Sequence, residues 1–155
     1  MKQIAEWALN IASQKGASYA DVRVVSDRSR SLATKNGRVG SASDSESQGI
    51  GIRVLADGAW GFAASDDLSR ASVEATAARA FEIAKASARV KQHDVRMAPE
   101  KPVVAEWTTP YKIDPFTTSV EQNLELLLKI DSELRSVNGV TLAETNMNFR
   151  REEVW

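Results

Sequence analysis

Two dipeptides constrain this chain more than anything else in it: Asn36-Gly37 and Asp57-Gly58. A two-residue hairpin of type I′ needs φ > 0 at both central positions, and Asn-Gly and Asp-Gly meet that need with least strain. Between residues 19 and 64 the hydrophobic period is two. Val22 and Val24 share one face, while Asp21, Arg23 and Val25 share the other. The Asn-Gly pair therefore closes one hairpin, and the Asp-Gly pair joins residues 50–55 to residues 59–64. Ser47-Gln48-Gly49 reads as a further turn between them. The whole stretch is an antiparallel meander. Residues 41–47 are polar and small and read as a solvated strand or edge; Asp44 and Glu46 lack a third partner in that segment for an ion site.

Helical periods flank the meander. Ile4, Ala8, Ile11 and Ala12, with Trp7, make one stripe over residues 3–15, and Gly16 stands where a C-terminal cap is expected. Val73, Ala77, Ala80, Phe81, Ala84 and Ala88 make a second stripe over residues 69–89, with Asp66, Asp67 and Ser69 suited to its N-terminus. A third helix is predicted to start near Thr118, where Thr118 and Glu121 have capping-box spacing. It runs to Arg135, with Val120, Leu124, Leu127, Leu128 and Leu134 as its apolar side. All 4 prolines lie between Pro99 and Pro115, so residues 90–115 read as an extended connector. Trp107 and Tyr111 within it are expected to pack across the body. Period two returns over residues 139–149. Arg150-Arg151-Glu152-Glu153 reads as a turn and Val154-Trp155 as the start of another strand, which suggests a single N-terminal domain, residues 1–155, of a chain truncated after Trp155. Strands and helices come in runs, so the predicted class is α+β: an antiparallel sheet with about three helices packed on one face.

The chemistry available is narrow. The 155 residues include 1 His and no Cys. Thiolate metal sites, iron–sulfur clusters, disulfides and cysteine nucleophiles are therefore excluded. His93 follows a helix end, where a histidine serves as a favourable C-terminal cation more often than as a base. No Gly-x-Ser-x-Gly elbow, phosphate loop or His-Glu-x-x-His helix occurs. Gly49-Ile50-Gly51 opens a strand where a phosphate loop would open a helix. Net charge is −1, which argues against nucleic acid as a partner. Arg28, Arg30, Lys35 and Arg38 form a small basic cluster, but Asp27, Asp44 and Glu46 are close by in sequence. No apolar run reaches the length of a membrane span, and no secretory signal opens the chain, so the expected compartment is the cytoplasm.

Residues 49–63, Gly-Ile-Gly-Ile-Arg-Val-Leu-Ala-Asp-Gly-Ala-Trp-Gly-Phe-Ala, followed by Asp66-Asp67-Leu68, are the most distinctive stretch. Glycine within strands, as at Gly51 and Gly61, marks close backbone approach by a packed neighbour or a bound peptide. This stretch resembles the N-terminal region of TldD-type proteins, of the TldD/PmbA family of zinc peptidases historically labelled modulators of DNA gyrase. The residues 16–23, Trp107-Thr108-Thr109-Pro110-Tyr111, Asp114-Pro115-Phe116 and Arg150-Arg151-Glu152-Glu153-Val154-Trp155 agree with it.

The resemblance implies that this is about the first third of a larger protein. The family's metal motif, a His-Glu-x-x-x-His/Asp helix and a later cysteine, has no counterpart here. No catalytic or metal-binding residue is therefore assigned, no cofactor is expected in this chain, and zinc is expected in the remaining part of the parent. The implied activity of that parent is hydrolysis of unfolded peptides by a zinc-bound water. The implied partners are a TldE/PmbA-like subunit, the parent's own C-terminal domain and the peptide substrate, and the exposed strand edge of a fragment suggests a homodimer. Candidate peptide or partner contacts are Arg53, Trp60 and Phe62. The competing reading is a stand-alone α+β module that binds a protein or peptide. Nucleic-acid binding is a distant third.

Overall fold

The computed structural model describes residues Met1–Trp155. Its elements are α1 (Lys2–Gln14), β1 (Tyr19–Lys35), β2 (Arg38–Ala56), β3 (Ala59–Ser65), α2 (Arg70–Ala88), a 3-10 turn at Pro115–Thr117, α3 (Val120–Ser136) and β4 (Glu144–Val154). The strands form one antiparallel sheet in the order β3-β2-β1-β4, so the class is α+β as expected. No helix is long and apolar enough to cross a membrane. Contacts divide the chain into two compact units: residues 1–26, 47–102 and 152–155, and residues 27–46 and 103–151.

Both expected type I′ turns are present. Asn36 and Gly37 have φ of 47° and 76°, and Asp57 and Gly58 have 49° and 72°. The turn expected at Ser47-Gln48-Gly49 is absent. Gly49 has no positive φ, and β2 runs unbroken through these residues. Glycine is useful there for another reason: a Cβ on Gly49 would sit 3.2 Å from the Ser65 carbonyl at the end of β3. The turn expected at residues 150–153 is likewise strand, because β4 continues to Val154.

In the first unit, α1 and α2 pack on the face of β1–β3 that carries Val24, Ile50, Ile52, Val54 and Ala63. Burying each larger aliphatic side chain contributes about 1.5–3 kcal/mol. Ala8, Ala12, Ala77, Ala80 and Ala84 supply the helical side of this core, and their small size lets the backbones approach. At Gly61 the approach is closest, since a Cβ there would collide with the Ala80 carbonyl and the Ala84 nitrogen of α2. Of the two neighbours anticipated for this glycine, a packed helix is the one present. α1 ends in a Schellman motif: Gly16, at φ 95°, donates to the Ser13 carbonyl, and Ala17 donates to the Ala12 carbonyl. Ser69 caps α2 by accepting from the Ser72 amide.

In the second unit, α3 is capped one residue later than the spacing suggested. Ser119 and Gln122 form the capping box, in place of Thr118 and Glu121. Its buried stripe is Asn123, Leu127 and Asp131, and Leu134, expected on the apolar side, is exposed. The Asn-Gly turn is held from outside the hairpin. Asn36 donates through its amide to the Ala143 carbonyl, and its side-chain oxygen accepts from the Ala143 amide. Trp107 and Tyr111 do not pack across the body as expected, being 81% and 66% exposed. The aromatic that anchors this part of the chain is Phe116. Asp114 accepts from the Phe116 amide at 2.9 Å, and Pro115 fixes the first residue of the 3-10 turn. The Phe116 ring then meets Phe149 at 6.1 Å between centroids.

Candidate binding face

The register of β2 and β3 determines which residues share the face opposite the helices. Gly51 pairs with Ala64, Arg53 with Phe62, and Leu55 with Trp60. These residues alternate with the core pairs Ile52–Ala63 and Val54–Gly61, so they point away from α2. The three candidates Arg53, Trp60 and Phe62 thus lie on one surface of one hairpin, and β3 is an edge strand of the sheet.

Their contacts are specific. The Arg53 guanidinium lies 4.6 Å from the centroid of the Trp60 ring, a cation–π contact worth about 0.5–1 kcal/mol at an exposed site. It also donates to Asp21 on β1 at 2.8 Å, which holds the arginine even more firmly in its charged form. Tyr19 packs edge-on against Trp60, with centroids 5.8 Å apart. Phe62 is 57% exposed. Its ring lies over Gly51, where a Cβ would meet it at 3.2 Å. Any other residue at Gly51 would lift the ring.

Beside Phe62 runs a shallow groove of about 530 Å³, bounded by Asp21, Arg23, Gly49, Gly51 and Arg53. The volume is in the range that holds a small ligand or a few peptide residues. Glycines make its floor almost bare backbone, and a carboxylate and two guanidiniums give its rim both signs of charge. Trp60 is placed next to Arg53 and outside the groove lining. The sequence pattern did not single out Tyr19, Asp21 or Arg23. The signal was the odd-numbered parity of Asp21 and Arg23 on β1, which had already put them on the face away from Val22 and Val24.

Other polar clusters are internally neutralised. Arg28 and Arg30 both bond Asp44, Lys35 pairs with Glu144, and Arg151 pairs with Asp114. The basic cluster is therefore no continuous positive surface. A pocket of about 460 Å³ at Lys91, Gln92, His93, Asp94 and Arg96 contains an ion pair of its own, Lys91 with Asp94. No group of three or more His, Asp or Glu side chains converges to hold a metal ion. The residues of this chain do not fit a resident zinc.

Residues 20–84 match the family described as PmbA/TldA metallopeptidase domain 1. A metalloprotease of Methanocaldococcus jannaschii is 24% identical over 125 residues, which cover 77% of this chain and 28% of that protein. A metalloprotease of Methanothermobacter thermautotrophicus is 40% identical over 52 residues, 34% of this chain and 12% of its own. Among solved structures, a candidate modulator of DNA gyrase from Thermotoga maritima superposes with a TM-score of 0.66 at 16% identity, over 99% of this chain and 37% of that one. TldE from Thermococcus kodakarensis gives 0.69 at 15% identity, over 98% and 34%. The chain thus spans well under half the length of each of these proteins.

Proposed function

This chain is a first-domain region of the TldD/PmbA type, and from that premise we propose that it is a non-catalytic module of a zinc-dependent peptidase that processes unfolded peptides in the cytoplasm. The zinc and its ligands belong to the remainder of such a protein. The module's work is to present an extended peptide, with a TldE/PmbA-like subunit and the parent's C-terminal domain as its protein neighbours. Arg53, Trp60 and Phe62 are the contact residues in this reading.

The observation that supports it is the exposed, glycine-floored groove beside Phe62 on an edge hairpin. An edge strand accepts a further strand through main-chain hydrogen bonds, which are indifferent to sequence. Side chains alternate along the added strand, so every second one would reach the groove rim. Arg53 and Asp21 can meet either sign of charge, and Phe62 can cover an apolar residue. Such a surface suits substrates that share extended form and little else.

Hydrogen exchange on this chain, with and without an unstructured model peptide, tests the proposal. Residues 49–65 are expected to gain protection, and Phe62→Ser is expected to abolish the gain. Phe62 is exposed, so that variant should retain the fold. Unchanged exchange across residues 49–65 at saturating peptide would reject the reading.

A further inference from the structure

The groove beside Phe62 changes character along the hairpin. Phe62 stands opposite Arg53, and one step on, on the same face, Ala64 stands opposite Gly51. Ala64 is the last outward-facing residue of β3 and carries only a methyl group at the free edge of the sheet. Behind it, Gly49 and Gly51 of β2 carry no side chain at all. The groove is therefore a slot that opens at the β3 edge, crosses β2 over the glycines and ends at Arg23 and Val25 on β1, with the Phe62 ring as a wall.

Asp21, Arg23 and Arg53 are the charged side chains that line the slot, and Arg23 alone is uncommitted. Asp21 accepts from Arg53 at 2.8 Å, and the same guanidinium lies on the Trp60 ring. Arg23 makes neither a hydrogen bond nor an ion pair within the chain. Other surface arginines also lack partners, so position is what matters. Arg23 stands at the inner end of a bare-floored slot whose other two charges cancel, which leaves the slot one net positive charge. The next carboxylates, Asp66 and Asp67, lie outside the lining, and Asp67 is already engaged with Ser69.

We propose that this slot selects acidic peptides: an extended chain added along β3 lays a glutamate side chain over Ala64 and Gly51 toward Arg23, and an apolar side chain two residues away against Phe62. The inference rests on the peptide-presenting role of this face and names the substrate class that role favours. Side chains two residues apart on a strand share a face, so the acidic and apolar requirements form one spaced pair. Reach favours glutamate over aspartate. An added strand lies three strand spacings, about 14 Å, from β1. An extended arginine spans about 7 Å and a glutamate about 5 Å from Cα to their polar atoms, and a hydrogen bond of about 3 Å closes the gap. Aspartate is one methylene too short. The bond formed is charge-assisted, the stronger class of hydrogen bond.

Fluorescence anisotropy with three dye-labelled, unstructured peptides tests it. Each is rich in Ser and Gly around a central Leu, with Glu, Gln or Lys two residues away on both sides, so either strand direction presents the pair. On the 155-residue chain the Glu peptide should bind about 5-fold tighter than the Gln peptide, the effect of one partly exposed ion pair. The Lys peptide should bind most weakly, and the differences should shrink as salt rises. Arg23→Gln should remove the difference between the Glu and Gln peptides while keeping affinity for the Gln peptide, and Arg23→Glu should invert the order. Arg79→Gln, on α2, changes the net charge equally and should keep the preference. Arg23 and Arg79 are both exposed, and circular dichroism would check the fold of each variant. Equal affinity for the three peptides, or a preference lost equally in Arg79→Gln, would overturn the inference and leave the presenting role standing. A chain that binds none of the three would overturn both.

Discussion

Asp44 carries more of the second unit than its place in a serine-rich strand suggests. Its carboxylate accepts from Arg28 at 3.1 Å and from Arg30 at 2.8 Å. Arg30 is only 5% exposed and spends a further N–H on the Thr118 carbonyl, just ahead of the Ser119 cap of α3. Both guanidiniums, and that of Arg151, lie 4.9–5.4 Å from the centre of the Phe116 ring. The hydrogen bonds from Arg28 and then Arg30 lower the Asp44 pKa from 3.8 to about 2. A carboxylate with a depressed folded pKa stabilises the fold fully above its unfolded value and loses that contribution as pH falls through the folded one. Asp44→Asn removes the charge at every pH. Wild type should therefore exceed Asp44→Asn in urea midpoint above about pH 4, and the gap should close as the pH drops toward about 2. A gap independent of pH would show that Asp44 acts by hydrogen-bond geometry alone.

At the scale of elements, the β3–α2 contact decides whether the first unit forms. Gly61 is the point where strand and helix backbones touch, and the colliding atoms belong to the main chain of Ala80 and Ala84. No side chain can swing aside to accept a methyl group. Gly61→Ala should therefore destabilise by at least about 2 kcal/mol, at the upper part of the range for overpacking. Gly51→Ala, which meets only the movable Phe62 ring, should cost clearly less. Urea titration of both variants checks the order, and equal losses would refute it. This contact was half legible in the sequence: glycine inside a strand pointed to close approach, but not to which element approaches. The type I′ turns were fully legible because their φ values depend on two residues alone. The false turn at Ser47-Gln48-Gly49 shows the limit. A glycine among polar residues looks the same whether it serves a turn or makes room for Ser65 at the end of the neighbouring strand. The same limit applied to α3, whose leucines outnumber the places the fold provides for them. Periodicity identified a helix but could not show that Asn123 and Asp131 face inward. On the outer face, Arg53 and Phe62 could be proposed from residue type; their joining with Asp21 and Arg23 required the order of strands.

For the whole molecule, the two units differ in what fills them. Apart from Thr76, the first has an apolar interior of Ala, Val and Ile with Leu55. The second buries Leu32, Leu127 and Ala143 together with Arg30, Thr34, Asn123, Asp131 and Thr145. Some of these polar groups are met: Thr34 and Thr145 share a hydrogen bond of 2.7 Å, and Arg135 bonds one oxygen of Asp131 at the same distance. The other Asp131 oxygen and the Asn123 amide nitrogen have no partner. A buried group left without a hydrogen bond costs about 1–3 kcal/mol, and this cost falls on the second unit only. Local opening follows such differences, since each cooperative region opens with its own free energy. Native-state hydrogen exchange should therefore find the slowest amides at residues 50–56 and 73–84, with residues 123–131 exchanging faster. Asn123→Leu replaces an unpartnered amide with an apolar group of similar size, so it should slow exchange in α3 and leave the first unit unchanged. Should α3 prove as protected as α2 in the wild-type chain, the orphaned groups are not what limits the second unit.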